Sequence, residues 1–465
     1  MPIFALMAAL IASAGLAAEP WPSFQNGGQL KAATTGLPLT WNSERGIAWN
    51  VELEGYGQSS PIVWGDSVYV TYCAGDNKER LFIRALSLTT GEFRWEHELA
   101  NSTPEEKSNY ISKAAPTPVA DAAGVIAFFE GGNLVALDHE GHVRWERDLV
   151  AEYGAIKARH GLASSLEQDE NAVFVWVERT DEPYVLAINK RDGQNLWQAE
   201  GAGKTSWSSP RLVPVGDERH LVLSAIGRIV GLDPADGTPL WQFEDIANNS
   251  VPTPIPLGEG RFLIGAGVGR GPQANNSLKS NGVIQISKNE QGQYSADFLW
   301  RAQKAMSSFG SPIVAGDKAF FVNRVGVVFC LDINTGEQHY AKRSGGGSVW
   351  ATPVHVGDRV YLFGKNGTTV VIKDGSDFEV VAENVLWEVE KKEEPEQNPE
   401  AKPAEQERGE ANEQGEQRQR QPGRGRRPGS PGAFSGPVLY AATPANDCWV
   451  LRTGDRVYCI KSEGT

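Results

Sequence analysis

Short runs of apolar residues alternate with acidic, glycine-containing turns over almost the whole chain. In residues 229–241, IVGLDPADGTPLW, an apolar strand leads into a turn closed by Gly237 and then into a strand that ends in Trp241. Apolar runs of this length, bounded by turn residues, predict β-strands joined by tight hairpins. The same phrase recurs at 85–95, 135–145, 186–197, 283–300 in a stretched form, and 329–340, where Tyr340 replaces the tryptophan.

The spacing of these units predicts a repeat architecture. The tryptophans that close the units are 50, 52, 44 and 59 positions apart, namely Trp95, Trp145, Trp197, Trp241 and Trp300. A period of this size occurs in solenoids, propellers and arrays. The strand-like content of each unit favours a propeller.

A second phrase marks the start of each unit. It consists of one or two small residues, usually a proline, a short strand and a Gly-Asp-like turn, as in residues 59–66. Eight such starts occur, at Pro61, Pro118, Leu166, Pro210, Pro254, Pro312, Pro353 and Pro437. They lie 41–58 residues apart except for the last spacing of 84, which contains a low-complexity stretch. One insertion in a regular array explains that spacing.

These patterns predict an all-β fold, an eight-bladed β-propeller of four-stranded antiparallel blades. The last blade has only three strands of its own, whereas residues 47–53, IAWNVEL, form a strand without a blade. Pairing of this N-terminal strand with the last blade closes the ring and removes an open sheet edge. Blade five carries a polar, glycine-rich insertion at 267–281, which we expect to be a long loop and a site often used for function.

The chain divides into five parts. Residues 1–18 have the apolar run and small C-terminal residues of a secretory signal peptide, and residues 19–46 are an irregular lead-in. The propeller covers 47–387, with the closing strand and blades one to seven, and 434–465, the last blade. Between them, residues 388–433 have almost no apolar side chains. This insertion cannot bury enough surface to offset its ordering entropy, so we expect it to be disordered.

Charge and the signal peptide limit the location and the partners. The net charge of −14 argues against nucleic-acid binding, which needs a positive surface. No later segment is long and apolar enough to span a bilayer. Because no cysteine lies near the predicted cleavage site, we expect export without a lipid anchor, to the periplasm or the extracellular space, as a monomer.

The four cysteines form no metal-binding pattern. Cys448 and Cys459 flank the turn at 453–454 and can face each other across a hairpin, and an exported protein permits a disulfide between them. The alternative is two unpaired thiols, because cross-strand disulfide geometry is demanding. His139 and His142 lie on either side of a turn, where polar residues are expected anyway, so we predict no metal site.

The repeat phrases resemble the PQQ-binding-like β-propeller repeat family, whose unit carries an A-x-D-x-x-T-G-x-x-x-W phrase. Residues 232–241, 85–91 and 331–336 match that phrase. The resemblance extends over about 47–387 and 434–465. It implies that the tryptophans of the repeats dock each blade against its neighbour, namely Trp95, Trp145, Trp197, Trp241 and Trp300.

Similar enzymes, the PQQ-dependent alcohol and sugar dehydrogenases, hold a quinone and calcium over the propeller axis. The alcohol dehydrogenases typically place two adjacent cysteines against the cofactor, and no two cysteines are adjacent here. An Asp base and a set of Glu, Asn and Asp calcium ligands cannot be placed on this sequence either. We therefore predict no cofactor, with PQQ and calcium as the alternative.

An aromatic cluster is predicted where the connectors between blades enter the innermost strands. Of the eight residues three positions before each start, four are large aromatics, namely Trp207, Phe309, Trp350 and Phe434. Aromatic side chains at a channel mouth suit the anchoring of a ligand or a peptide. Arg159, His160 and Lys113 on neighbouring connectors supply a polar rim. The alternative is that the aromatics fill the channel and pack under the loops.

The sequence thus favours a propeller without catalytic activity, acting as an interaction scaffold for another protein or envelope component. The alternatives are a PQQ- and calcium-dependent oxidoreductase, and a binder of carbohydrate or another small ligand at the mouth. A scaffold needs an exposed apolar patch. An oxidoreductase needs carboxylates and an amide that converge on the axis, and a sugar binder needs an aromatic platform with flanking Asn, Asp or Gln.

Overall fold

The computed structural model describes residues 20–32, 36–104, 114–203, 206–268, 274–388 and 437–462. Their strands form eight sheets, each with the four antiparallel strands of one blade. The prediction of an all-β, eight-bladed propeller is confirmed. The predicted signal peptide and residues 389–433 of the predicted insertion lie outside the described residues.

The strands follow one another in chain order. Before the first blade come β1 (Lys31–Ala32) and β2 (Ile47–Glu52). Blades one and two contain β3 (Ile62–Trp64), β4 (Ser67–Ala74), β5 (Arg80–Ser87), β6 (Phe93–Ala100), β7 (Val119–Asp121), β8 (Gly124–Phe128), β9 (Asn133–Leu137) and β10 (Val143–Asp148). Blades three and four contain β11 (Glu167–Gln168), β12 (Ala172–Val177), β13 (Tyr184–Asn189), β14 (Asn195–Glu200), β15 (Arg211–Val215), β16 (Glu218–Ala225), β17 (Arg228–Leu232) and β18 (Pro239–Phe243).

The second half repeats the arrangement. Blades five and six contain β19 (Ile255–Gly258), β20 (Arg261–Ile264), β21 (Gly282–Lys288), β22 (Tyr294–Arg301), β23 (Ile313–Ala315), β24 (Lys318–Val322), β25 (Val327–Asp332) and β26 (Gln338–Arg343). Blades seven and eight contain β27 (Val354–Val356), β28 (Arg359–Phe363), β29 (Thr368–Lys373), β30 (Val380–Val385), β31 (Ala441–Ala445), β32 (Cys448–Arg452) and β33 (Arg456–Lys461). Two short helices lie in loops, α1 (Leu149–Tyr153) and α2 (Ala274–Leu278).

The place of a strand within its blade follows from its residue pattern. Middle strands such as β12, AVFVWV, are apolar throughout and buried on both faces, because each blade is covered by a neighbour on either side. Outer strands such as β14, NLWQAE, bury Trp197 and leave most of their other residues partly or fully exposed. Among the described residues, no helix has the length and apolar character needed to cross a membrane.

The ring is closed by the N-terminal strand, as predicted. Strand β2 pairs antiparallel with β33 as the outermost strand of blade eight, with Val51 opposite Val457. The first three strands of that blade come from the C-terminal end of the chain. Both ends of the propeller chain are therefore tied into one sheet, and β2 covers the edge that β33 would otherwise expose.

Tryptophans on outer strands dock onto turn glycines of the next blade. Each indole lies so close to its glycine that a Cβ atom there would be 2.5–2.7 Å from the ring, in the pairs Trp49–Gly91, Trp95–Gly141, Trp145–Gly193, Trp197–Gly237 and Trp300–Gly336. Each of these indoles also donates a hydrogen bond of 2.7–3.0 Å to a backbone carbonyl of the same turn. Trp241 differs, because its indole N–H donates to Nδ1 of His220 in its own blade at 3.0 Å.

The small residues before the prolines form a chain of hydrogen bonds around the axis. The backbone N–H of each donates to the side-chain hydroxyl of its counterpart in the next blade at 2.8–3.1 Å, in the order Ser60, Thr117, Ser165, Ser209, Thr253, Ser311 and Thr352. This chain ties blades one to seven together at their inner edges. It explains why a hydroxyl residue precedes the strand in so many repeats.

Blade eight departs from this pattern. Ala445 pairs with Cys448 across a two-residue turn, as Trp64 pairs with Ser67 in blade one, so Ala441 takes the place of Ser60. Ala441 has no hydroxyl to continue the hydrogen-bond chain. The start at Pro437 used in the sequence alignment therefore lies five positions before the structural one.

The lead-in is more regular than the sequence suggested. Residues Phe24–Gly28 form a 3-10 helix, and β1 pairs in parallel with β27, the innermost strand of blade seven. Trp21 forms an isolated antiparallel bridge with Val63 of blade one. Residues 21–32 of the lead-in therefore lie inside the ring of innermost strands, whereas Trp41 reaches the outermost strand of blade seven, where its backbone N–H donates to Asn384.

Candidate functional site on the loop face

The propeller has two different ends. One end carries the connectors between blades and the loops between the second and third strands of each blade, and we call it the loop face. The described part of the blade-five insertion, including α2, belongs to this end. The opposite end carries the short hairpin turns with the docking glycines. Long loops are concentrated on the loop face, where function is most often found.

The lead-in fills the axial channel and is held by buried polar groups. Gln25 is buried, and its Nε2 donates to Ser311 Oγ at 3.0 Å and to Thr352 Oγ1 at 2.9 Å. Its Oε1 accepts from Arg211 at 3.2 Å. Gln25 has a φ of 57°, a left-handed conformation that is costly without glycine. The hydrogen bonds to three blades hold this residue in place.

A buried ion pair lies beside Gln25. Arg211 Nη1 is 3.0 Å from Glu167 Oε2, and the two side chains are 2% and 6% exposed. Burial raises the pKa of Glu167 and lowers the pKa of Arg211, and the attraction between the two charges opposes both shifts. Burial of the pair is compensated by this contact and by the carbonyl of Phe24, which accepts from Arg211 at 3.4 Å.

An aromatic row covers the channel on the side of blades six to eight. The ring centroids of Phe309 and Trp350 are 4.9 Å apart, and those of Trp350 and Tyr440 are 6.2 Å apart. Tyr440 in turn contacts Tyr56, and the two hydroxyl groups are hydrogen-bonded. Burial raises the pKa of both tyrosines, so both are neutral donors at physiological pH.

A small cavity separates this aromatic row from the lead-in. Its volume is about 90 Å³, and its lining includes Trp21, Gln25, Phe309, Trp350 and Tyr440. Pockets for organic ligands usually have volumes of about 300–1,000 Å³. The space enclosed by these residues therefore suits ordered water rather than a cofactor.

The predicted aromatic cluster falls into two places. Phe309 and Trp350 lie together, whereas the ring contact of Trp207 is with His160, 6.1 Å away. The indole N–H of Trp207 donates to the carbonyl of Gly161 at 3.1 Å, so this tryptophan packs under the connector of blade three. Arg159 is exposed beside it. Phe434 and Lys113 lie outside the described residues, and Tyr440 completes the row in blade eight.

A buried carboxyl group orders the connector that carries Trp207. Glu178 accepts hydrogen bonds from the backbone N–H groups of Ser206 at 2.8 Å and Trp207 at 3.0 Å, and from the hydroxyl of Ser206. Burial raises the pKa of Glu178 to about 8, against the opposing effect of these donors. This carboxyl group is used by the connector and is not directed at the axis.

The loop face has exposed apolar residues, and of these only Phe309 was named from the sequence. Most exposed large apolar side chains lie on outermost strands, but four lie on the loop face, namely Ile226, Val268, Phe309 and Val325. Val325 is 48% exposed at the tip of the N-R-V-G hairpin that joins β24 to β25. An apolar residue at a hairpin tip, where polar residues are usual, is the sequence signal that would have identified it.

The four cysteines are free thiols in the structure. Cys448 and Cys459 lie on adjacent strands in diagonal positions, because Cys459 pairs with Val450 and Cys448 pairs with Lys461. A hydrogen bond with Cys448 and burial raise the pKa of Cys459. A disulfide between them stays a prediction, and the contact between the thiols is compatible with it.

Comparison with known families identifies the repeat. A sequence model of the PQQ-like repeats, described as outer membrane protein assembly factor BamB, matches residues 11–176, 155–255 and 280–407. These stretches cover well over half of the chain. The chain belongs to this family. The resemblance inferred from the repeat phrases is thereby confirmed.

Solved structures with a similar fold have low sequence identity to this chain. BamB from Moraxella catarrhalis has a TM-score of 0.55 at 12% identity, over 90% of this chain and 98% of that one. The computationally designed Ika8 protein has a TM-score of 0.52 at 12% identity, over 88% and 98%. A quinohemoprotein alcohol dehydrogenase from Comamonas testosteroni has a TM-score of 0.42 at 14% identity, over 76% of each chain. Curated protein sequences give no match.

A quinone and calcium on the axis would need carboxylates that converge on one point. Among the described residues of this BamB-family propeller, no group of three or more His, Cys, Asp or Glu side chains is arranged to hold a metal ion. The carboxylate nearest the lead-in, Glu167, is already paired with Arg211.

Proposed function

We propose that this protein is a non-catalytic interaction scaffold that binds another protein or envelope component through its loop face. The observation that carries the proposal is the occupied axis. Gln25, held by Arg211, Ser311 and Thr352, fills the channel with the chain's own residues. A propeller whose axis is filled offers partners its outer surfaces, and here the loop face has the exposed apolar side chains.

Membership in the family described as outer membrane protein assembly factor BamB supports this role. It favours a protein partner over a small substrate, and a place in the periplasm or at the outer membrane. The sequence features of an exported chain agree with that location. We further propose that the mature chain acts as a monomer, because closure of blade eight is made within one chain.

Reconstitution tests the non-catalytic part of the proposal. Purified residues 19–465 are incubated with PQQ and calcium and desalted, and the retained quinone absorbance is measured together with dye-linked oxidation of an alcohol and sugar panel. We expect no retained quinone and no turnover. Retention with turnover would overturn the proposal.

Site-specific crosslinking tests the scaffold part. A photo-crosslinking residue is placed at Val325 on the loop face and, as a control, at Leu196, which is 50% exposed on an outermost strand. We expect one discrete adduct with an envelope protein from the loop-face position in the native envelope. Absence of adducts from both positions contradicts the scaffold function.

A further inference from the structure

Positive charge is concentrated on the loop face of blades five to seven, although the chain has a net charge of −14. Exposed cations occur in three loops and connectors of this region and at the end of β26, namely Lys279, Lys304, Arg324, Lys342 and Arg343. Lys365 lies over the ring of Trp350, with Nζ 5.1 Å from the centroid. The local charge is thus opposite to that of the whole molecule.

Apolar side chains lie among these cations. Val268, Phe309 and Val325 are 62%, 37% and 48% exposed. A hydrogen bond between two of the loops brings Val325 close to Phe309, because Arg324 N donates to Ser308 Oγ at 3.0 Å, directly before Phe309. We call Val268, Phe309, Val325, Arg324 and Arg343 the basic apolar patch.

The loops beneath the patch are tied to each other. Ser344 N donates to the carbonyl of Gly326 at 2.8 Å, and Lys365 N donates to the carbonyl of Ser348 at 2.8 Å. A Cβ atom on Gly267 would lie 3.7 Å from the carbonyl oxygen of Ser307. The patch is therefore a continuous surface across blades five and six, and the connector to blade seven packs against it.

The cations of the patch are not neutralised within the described chain. Arg324 and Arg343 form no ion pair with any carboxylate of the described residues, whereas Arg301 nearby is paired with Asp245 at 2.6 Å. Arg343 donates only to the carbonyl of Val325, at 3.5 Å. Exposed cations beside exposed apolar groups suit a partner that supplies carboxylates and apolar side chains together.

We propose that the basic apolar patch binds an acidic, apolar segment of a partner protein. The inference rests on the proposed scaffold function and adds the chemistry of the partner. Carboxylates of the segment pair with Arg324 and Arg343, and its apolar side chains cover Phe309 and Val325. Charge complementarity sets the orientation and speeds the encounter, while apolar contact supplies affinity.

Binding of a defined probe tests the proposal. Fluorescence anisotropy follows a fluorescein-labelled peptide of repeated Glu-Leu pairs on the full mature chain, compared with Lys-Leu and Glu-Ser peptides. We expect saturable binding of the Glu-Leu peptide alone, weakened by added salt. No saturable binding in the high micromolar range, or equal binding of the Glu-Ser peptide, would overturn the proposal.

Matched variants locate the site. Double substitution Arg324→Glu and Arg343→Glu, and separately Val325→Ser, should each weaken binding at least about tenfold, which corresponds to about 1.4 kcal/mol. Control variants Arg191→Glu, in a turn at the opposite end, and Leu196→Ser should bind within about twofold of the wild type. All four variants are first checked for an unchanged thermal midpoint. Equal losses in patch and control variants contradict the proposal.

Two further experiments distinguish a failure of the proposed patch from a failure of the proposed scaffold function. Crosslinking at Leu196 without crosslinking at Val325 supports an interaction scaffold but overturns both the patch and the placement of the interface on the loop face. Deletion of residues 389–436, whose first half is acidic in sequence, tests the chain's own residues as the occupant. If the peptide binds only to the deletion variant, the patch is covered in cis and the proposed partner is wrong.

Discussion

Trp145 covers Gly193 of the next blade so closely that a Cβ atom on Gly193 would lie 2.7 Å from Cδ2 of the indole. The glycine also has a φ of +74°, which L side chains rarely adopt. The tryptophan and the glycine of the repeat phrase thus serve one contact, made between blades rather than within one. This explains why both residues recur at the same period.

Gly193→Ala should destabilise the protein more than a glycine substitution elsewhere. The alanine carries a backbone cost of about 1–2 kcal/mol in the left-handed region and also displaces the indole, for a total of roughly 3 kcal/mol. Gly216→Ala is the control, because Gly216 has a φ of +61° and nothing within 4 Å of a Cβ atom. Equilibrium urea unfolding followed by tryptophan fluorescence measures both, and equal losses contradict the docking role.

Gln25→Ala should loosen the lead-in. It removes two hydrogen bonds to hydroxyl groups and one from a buried guanidinium, at about 1 kcal/mol each for the neutral bonds and somewhat more for the charged one. Asn26→Ala is the control, because Asn26 also has a positive φ but makes only a 3.4 Å contact with the carbonyl of Gln29. Limited proteolysis near residue 25 should cleave the Gln25 variant faster. Equal cleavage of both variants would show that the polar contacts do not hold the segment.

The parts of the fold that repeat could be predicted, because each repeat carries its own local signal. The turn glycine, the docking tryptophan and the hydroxyl residue before proline all act on the adjacent blade, so their period alone gave the number of blades. The lead-in has no such signal. Gln25 contacts Ser311 and Thr352, which lie 286 and 327 positions further along the sequence. A contact that occurs only once in the fold produces no periodic pattern in the sequence from which it could be predicted.

The candidate site was predicted only in part, for the same reason. Phe309 and Trp350 were both named because each lies three positions before a regular start, whereas Tyr440 lies two positions before the structural start of blade eight at Ala442 and so falls outside that rule. The register of blade eight is set instead by the hairpin between Ala445 and Cys448. Exposure of Val325 depends on how far its hairpin extends beyond the neighbouring loops, which spacing along the chain does not specify.

Acid should weaken the contact between blades four and five through His220. Burial lowers the pKa of His220, and its Nδ1 accepts the indole N–H of Trp241 and so must stay unprotonated. Four other groups face or influence this ring, namely Tyr294, Glu218, Asp233 and Lys288. The two carboxylates raise the pKa of His220 but only partly oppose the lowering by burial. Below pH about 6.5 the unfolded chain binds a proton that the folded chain does not, so stability falls as pH falls.

Urea unfolding between pH 7.5 and 5.5 measures this effect against His220→Asn, which keeps an acceptor but does not titrate. For one proton the loss cannot exceed about 1.4 kcal/mol per pH unit. We expect the wild type to lose stability relative to the variant over this range. Parallel curves for the two proteins would exclude His220 as the titrating group.

Glu178 should have the opposite effect on the pH dependence. Because burial raises its pKa to about 8, the folded chain binds a proton between the ordinary glutamate pKa of 4.5 and that value, whereas the unfolded chain does not. Stability should therefore fall as pH rises through this window, by at most about 1.4 kcal/mol per pH unit.

Glu178→Gln removes the titration, and the hydrogen bond that it loses to Trp207 costs the same at every pH. The wild type should lose stability relative to this variant between pH 5.5 and 8.5, while Glu182→Gln, at a side chain that is 93% exposed, should follow the wild type. If the difference between wild type and Glu178→Gln is constant over this range, the carboxyl group is ionised throughout, and the donors of Ser206 and Trp207 outweigh its burial.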